Sequence, residues 1–592
     1  MRREMKQPRT SCSLTSHCRA ASVAVAVFGL FLVALLGTAT TMPMVWDEGN
    51  TLSRALLIAE GEWTYTVVGE GHPPLSGLLV LAGWSVGRDW LHPLAAMRLG
   101  PIVLFSLGAG AMCYRLARDW SPLAAWAGAA ALLLMPRMFA HAHVAASDGP
   151  LTACWLLAWA AFPTTAARHA GPPGAARPGA TKSSLPTACA SLLPTLGSLL
   201  WGAALGLCLA TKATGWLAPL PFLAYGLIDR RWTVWRTLLA GMLVALGVFY
   251  LVNPPLWSRP VDGLLTFFDL NLHRADQPGL NISTWFLGQM HNLDYPLPWY
   301  NTLVWLGLTT PPVLLIFAIF GMVTVWRQRR LYRGGLLLAM NWLLLLVVRA
   351  LPWAPPHDGI RLFLPSFGFL AALAGVGTAA AVAWAARRRL TDRGTVSGKD
   401  DENRPAPLSD RRRRVARRLA AGVATLYLLT AAELFIYAPQ WLSYYSPAVG
   451  GLPGATAMGM EPTYWWDSLD RQTLDWLNRN TPPGEKVSFA AGSVENLLWM
   501  RRWRLLDPPA AADLPGPFRW YVVQHRPSAW RPVDPWLIDQ AKPAHQNRLL
   551  GVPLLSVYDY RQWRRAWRKL ALAPSRAIRA KQQPPQQPGA NQ

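Results

Sequence analysis

Residues 42–53 read Met-Pro-Met-Val-Trp-Asp-Glu-Gly-Asn-Thr-Leu-Ser and follow directly on an apolar run from Ala20 to Gly37. A run of that kind has about the 20 apolar residues a helix needs to cross a bilayer core. Two adjacent carboxylates, Asp47 and Glu48, therefore stand at a membrane edge, where a charge is costly unless water, a partner or a ligand receives it. An acidic pair at a helix end is ordinarily a solvated cap. Whether this pair does chemistry depends on what the rest of the chain brings beside it.

Similar apolar blocks recur along the 592 residues, of which 52% are hydrophobic and only 15% charged. They predict an all-α polytopic membrane protein with about eleven spans, near residues 21–41, 95–114, 121–138, 149–163, 191–210, 215–229, 235–252, 301–325, 335–351, 361–386 and 418–438. The basic segments at the N-terminus and at 114–118, 168–182, 229–232, 326–333 and 387–418 alternate with these spans and fall on one face, which the positive-inside rule makes cytoplasmic. Asp47 and Glu48 then face outward, as do the turn 137–147, the turn at Lys212 and the loops 253–300 and 352–360. The net charge of +25 is accounted for by these loop clusters, so no nucleic-acid partner is expected. The 31 Trp and 50 Pro suit interfacial anchors and broken helix ends. Six cysteines without a C-x-x-C pair indicate neither a thiolate metal site nor a disulfide framework. The first apolar run is longer than a signal-peptide core and lacks a good cleavage site, so it reads as an uncleaved span.

The expected organisation is a cytoplasmic tail (1–20), a transmembrane domain (21–438) with a disordered cytoplasmic linker (387–417), a small extracytoplasmic α/β domain (439–580) and a disordered tail (581–592). Short strand-like runs at 486–491, 520–523 and 554–558, preceded by a helix-like 467–478, carry the α/β reading. No repeat of fixed period is apparent.

Six outward-facing places hold most of the polar groups beside spans: Asp47-Glu48, H-P-P-L (72–75), M-R-L (97–99), H-A-H-V-A-A-S-D-G-P (141–150), A-T-K-A-T-G (210–215) and H-D-G-I-R-L-F-L-P (357–365). Singly each has an ordinary reading. Arg98, Lys212 and Arg361 suit snorkelling anchors, His141 and His143 surface histidines, His72 a turn before two prolines, and Asp148 a helix N-cap. Together they set carboxylates, cations and histidines at one depth on one side, as a site for an anionic lipid headgroup requires: phosphate needs cationic donors, and a carboxylate can accept the proton of an attacking hydroxyl.

Asp47-Glu48 after the first span, with His72-Pro73-Pro74-Leu75 some twenty-five residues on, resembles the first outer loop of the protein O-mannosyltransferases. M-R-L-G-P (97–101) and A-T-K-A-T-G-W-L (210–217) are similar to segments of the bacterial aminoarabinose transferases that modify lipid A. Both belong to the dolichyl-phosphate-mannose-protein mannosyltransferase family, glycosyltransferase family 39, of the GT-C fold. Ser76 and Gly77 follow H-P-P-L where the eukaryotic enzymes carry a basic residue nearby. The resemblance implies inverting transfer from a polyprenyl-phosphate-linked sugar to a hydroxyl on a protein, lipid or glycan, as in protein O-linked glycosylation or lipid A modification. Asp47 would be the base, and Arg98, Lys212 and Arg361 would hold the phosphate. Glu48 and His72 would shape the loop or orient the acceptor, and Asp148 would match the second outer-loop acidic position, which binds acceptor or a divalent metal.

A divalent cofactor (Mg or Mn) has Asp148, His141 and His143 as candidate ligands. The setting implied is a bacterial inner membrane, with the N-terminus cytoplasmic and the C-terminal domain periplasmic. No Gly-rich unit favours a nucleotide-sugar donor. The competing class is a polytopic transporter or lipid flippase, which would place its ionisable residues near the midplane and often show paired half-repeats.

Overall fold

The computed structural model describes residues 11–62, 72–164, 196–273, 281–329, 333–356, 359–391, 407–512 and 516–572. The described residues are 68% helical with a small sheet region. Among the described residues five helices are long and apolar enough to cross a membrane: His17–Thr38, Pro93–Asp119, Trp232–Leu251, Arg361–Ala386 and Arg417–Ile436. A sixth is formed if Pro122–Leu133 and Pro136–His143, bent by 77° at their junction, count as one span.

This differs from the expected eleven. Among the described residues the runs at 149–163, 196–210 and 215–229 hold helices of 14, 14 and 11 residues, residues 191–195 lying outside them. At 1.5 Å per residue the longest of these reaches only about 21 Å. The run at 301–325 is divided at Thr310-Pro311 into Asn301–Thr309 and Pro312–Gln328, because a proline offers no N–H and disfavours helix at the residue before it. Residues 407–417 of the expected linker are helical, at the start of Pro407–Ile436. The linker's middle and the tail from 581 lie outside the described residues.

Apolar packing between helices in a bilayer is driven by close approach, which small residues permit. Helices Pro312–Gln328 and Leu364–Thr391 touch through Gly321 and Gly377: a Cβ on the first would stand 1.9 Å from the Leu373 carbonyl oxygen, one on the second 1.8 Å from that of Phe317. Gly108 meets Ala153 in the same way, bringing Pro93–Asp119 against Asp148–Ala161. These contacts draw together the helix ends that carry Arg98, Asp148 and Arg361.

The C-terminal region holds a mixed five-stranded sheet: β3 (Val487–Phe489), β4 (Ala510–Ala512), β5 (Trp520–Gln524), β6 (His545–Leu549) and β7 (Val552–Asp559), in the order β4-β3-β5-β7-β6. A separate hairpin of β1 (Thr284–Phe286) and β2 (Gln289–His291) lies in the loop 253–300. Alternation along β5 and β7 gives the large sheet two apolar faces. Val522, Leu555 and Val557 pack with Leu52, Ala55, Val80 and Met97 from the helices that follow the first span. Tyr521, Val523 and Tyr558 pack on the other side with Val533, Leu537 and Ala566. The sheet thus shares a core with the segment that bears Asp47, which helix Val494–Arg502 touches.

Asp534 lies buried under that second face, accepting from the Tyr521 hydroxyl (3.0 Å) and the Arg531 amide (2.7 Å). Desolvation pushes its carboxyl up to about 6 from an ordinary 3.8. A group whose pKa is raised by folding contributes stability that is complete below its unfolded pKa and is lost as pH rises through the folded one. Asp534→Asn is therefore expected to raise the unfolding temperature of the protein at pH 7.5 and to leave it unchanged or lower at pH 4. Equal shifts at the two pH values would refute a charge penalty at this position.

Candidate active site

Helix Trp46–Ala59 starts from an extended Val45 and carries both carboxylates in its first turn, where the positive end of the helix favours them. Successive helical positions diverge by about 100°, and the two side chains accordingly go to different fates. Glu48 points inward and is fully buried; Asp47 keeps a side-chain exposure of 29%.

Glu48 is saturated. Its Oε1 accepts from Arg98 Nε (2.7 Å) and the Ala145 amide (2.9 Å), and its Oε2 from Arg98 Nη2 (2.6 Å) and the Val45 amide (3.1 Å). Arg98 is equally committed: Nη1 also donates to the carbonyls of Ala39 and Met42, and Nη2 to that of Pro43. All five guanidinium N–H groups are thereby engaged, with side-chain exposure of 0% for both partners. Of the two roles expected for Glu48 this bonding suits the shaping of the loop, and the donors expected to hold a phosphate at Arg98 are occupied within the chain; the pair pins the end of the first span to the W-D-E turn and to the loop before Asp148.

Asp47 belongs to a second network. Arg361, in the turn Arg361–Phe363, donates from Nη2 to Asp47 and from Nε to Asp148 Oδ2 (2.6 Å). Lys212 Nζ meets Asp148 Oδ1 at 2.7 Å. Four residues that the sequence placed at one depth thus converge into a chain Asp47, Arg361, Asp148, Lys212, with two negative and two positive charges. His72 lies just before helix Leu75–Gly87, whose first amide donates to the Ala210 carbonyl at 3.1 Å, two residues from Lys212. Residues 357–358 lie outside the described residues.

The candidate metal ligands do not come together. His143 donates from Nδ1 to the Phe139 carbonyl (2.7 Å) and its Nε2 lies 2.8 Å from Thr38 Oγ1, and Asp148 is held by two cations. His141 bonds the Tyr464 hydroxyl through Nε2 at 2.8 Å. Among the described residues no group of three or more His, Cys, Asp or Glu is arranged to bind a metal ion, so Asp148, His141 and His143 do not fit a divalent ion as a set and no step is drawn through one.

The C-terminal region supplies what sequence reasoning missed. The Trp465 carbonyl accepts from the Trp46 amide (3.1 Å), and the Trp465 ring covers the Arg361 guanidinium at 4.0 Å. Trp466 meets the ring of Trp46 at 4.3 Å, with Arg526 over it at 3.9 Å. Both Trp465 and Trp466 have positive φ, +64° and +56°, a conformation costing bulky residues of order 1–3 kcal/mol each and held only where surroundings over-determine it. Asn496 completes the frame: its Oδ1 accepts from the Gly49 amide and its Nδ2 donates to the Val45 carbonyl, both at 2.7 Å. A Cβ at Gly49 would lie 2.5 Å from Asn496 Oδ1, so the glycine permits this contact. Nearby, desolvation pushes the buried Asp467 up to about 6.

No family model and no curated protein matches the chain. Solved structures do resemble it. ArnT from Cupriavidus metallidurans bound to undecaprenyl phosphate is 14% identical over 90% of this chain and 97% of its own, with a TM-score of 0.44. The apo form of ArnT gives 15% identity over 91% and 98%, with a TM-score of 0.46. The oligosaccharyltransferase AglB from Archaeoglobus fulgidus, in complex with an inhibitory peptide and a dolichol-phosphate, gives 12% over 85% and 69%, with a TM-score of 0.41. ArnT and AglB are both GT-C fold glycosyltransferases. The TM-scores lie below 0.5, and the functional reading below rests on the site itself.

Proposed function

We propose that the chain is an integral membrane glycosyltransferase of the bacterial inner membrane that moves a sugar from a polyprenyl-phosphate donor to a hydroxyl acceptor, with inversion, on the extracytoplasmic face. The observation that carries this reading is the cluster Asp47, Arg361, Asp148 and Lys212, in which Asp47 is the most accessible carboxylate. An acceptor O–H attacks the anomeric carbon and loses its proton to Asp47 while the bond from that carbon to the phosphate oxygen breaks. The polyprenyl phosphate leaves, and Arg361 and Lys212 face the charge that develops on it, the kind of preplaced electrostatic support that is often the largest catalytic contribution. Arg361 binds Asp47 and Asp148 together, so its partial transfer to the phosphate is what would release Asp47 to act as base. Trp465, stacked on Arg361, limits where that guanidinium can go. Acceptor class and sugar follow from the outer loops and the C-terminal region rather than from these four charges.

The test is incubation of the purified protein with labelled polyprenyl-phosphate hexoses and pentoses and with peptide, lipid and glycan hydroxyl acceptors. Release of polyprenyl phosphate, with a product of inverted anomeric configuration, is expected. The bent pair Pro122–Leu133 and Pro136–His143 favours a second reading, transport, since broken helices commonly line transporter sites. Substrate accumulation in proteoliposomes without donor cleavage would select it.

A further inference from the structure

Arg137 lies in the short helix Pro136–His143 and is 1% exposed. Its Nε donates to the Tyr444 carbonyl at 2.9 Å, and neither Nη1 nor Nη2 makes a hydrogen bond of good geometry, although the Tyr445 hydroxyl lies close enough to interact with the guanidinium. The rings of Tyr445, Tyr464 and Trp305 lie 4.5, 4.7 and 5.5 Å from the guanidinium carbon. Such rings stabilise the charge but leave the N–H groups unmade, and buried cations are ordinarily both paired and hydrogen-bonded. One turn on, on the same helix face, His141 is fully buried and its Nδ1 likewise has no partner. With Tyr464 donating to Nε2, the assignment we adopt, Nδ1 carries a hydrogen.

Among the described residues no carboxylate forms an ion pair with Arg137. Asp47 and Asp148 are held by Arg361 and Lys212. Asp467, within reach of Arg137's charge, accepts from the Thr463 hydroxyl, and Glu461 faces Arg526. Of the charged groups around His141, which include Asp148, Lys212, Arg361 and Arg137 with Asp47 beyond, Arg137 is the cation without an ion-pair partner among the described residues, and Asp467 is a carboxylate whose charge it feels. Beside Nη1 the chain places Gly359, whose missing Cβ would stand 3.4 Å away.

We infer that Arg137 and His141 form a phosphate seat next to the Asp47 and Asp148 network, taking a phosphate monoester or diester through the unused guanidinium fork and the histidine N–H. A planar fork matches phosphate oxygens in pairs, which a lysine cannot do. This rests on the glycosyltransferase reading in one respect: it assigns the phosphate to the lipid-linked donor, so the leaving group is received by a cation that, among the described residues, has no ion-paired carboxylate to release first.

The experiment uses the full chain in lipid nanodiscs and measures binding of a polyprenyl phosphate, the corresponding neutral polyprenol and inorganic phosphate, by titration and by the rise in unfolding temperature that binding produces. Wild type is expected to prefer the lipid phosphate over the polyprenol. Arg137→Gln is expected to lose at least about tenfold in affinity for the phosphate probes, the scale of one charged hydrogen-bonded contact, with polyprenol binding unchanged. Arg137→Lys is expected to fall between them; it also decides the matter if the Gln variant does not fold, since wild-type phosphate affinity in the folded Lys variant would overturn the fork. Wild-type affinity in a folded Arg137→Gln protein, or no phosphate binding by wild type, would overturn the seat. Arg137-dependent binding of inorganic phosphate without binding of the lipid phosphate would keep the seat and remove the lipid donor.

Discussion

Asp47→Asn is expected to lower sugar transfer by about 10²- to 10⁴-fold, the range a positioned general base contributes, while leaving affinity for the polyprenyl phosphate within a few-fold of wild type. The asparagine still fits beside Arg361, and Arg361 keeps its 2.6 Å bond to Asp148, so the frame of the site survives the change. What is lost is an acceptor for the proton of the attacking hydroxyl. Single-turnover kinetics with a preloaded donor separate the two effects: the chemical step should slow and the binding step should not. If the Asn variant transfers within tenfold of wild type, Asp47 is not the base, and Asp148, bound to two cations, is too occupied to inherit the role without a rearrangement. Asp47→Glu tests placement, since it restores the carboxylate but moves it by about one methylene; partial recovery is expected.

The other large effect is on stability. Arg98→Met should destabilise the protein by about 3–5 kcal/mol, because removing one partner of a buried pair strands the other. Here Glu48 would keep only two amide donors, and the carbonyls of Ala39, Met42 and Pro43 would lose theirs. Glu48→Gln combined with Arg98→Met should recover part of the loss, and the difference from additivity measures the coupling. The readout is the unfolding temperature in detergent together with donor affinity in the surviving folded fraction. A folded, normally stable Arg98→Met protein that fails only in donor binding would return Arg98 to the phosphate and refute the structural assignment.

These two neighbouring carboxylates show where sequence reasoning ends. The chain's apolar runs and basic loops made a helical membrane protein legible, because hydrophobic length and charge bias are local properties of the chain. The polar clusters at 47–48, 148, 212 and 361 were also legible as one group, since a charge at a span end demands a partner. The division of labour between Asp47 and Glu48 was not. It depends on which of two adjacent directions faces the Pro93–Asp119 helix, and only there does Arg98 wait with a full set of donors. The same holds for the span count, since runs of sufficient apolarity folded as shorter helices or broke at Pro311, according to what packed beside them.

The C-terminal contribution lay furthest from view. Trp465 is 419 residues from Trp46 and 104 from Arg361, and Asn496 and Tyr464 are more than 300 from Gly49 and His141, and a tryptophan or asparagine in an α/β region carries no mark of the carboxylate it will frame. The sequence by itself determined that a hydrophobic helical region precedes a small region of strands and helices, and which charged residues were available to a site. Only the tertiary structure decided which charges are consumed in holding the frame, as in Glu48 with Arg98, and which keep chemistry to do, as in Asp47, Arg361 and Arg137. The physical reason is that hydrogen-bond saturation is a property of a side chain's neighbours in space, and those neighbours are set by packing between segments that the chain order keeps apart.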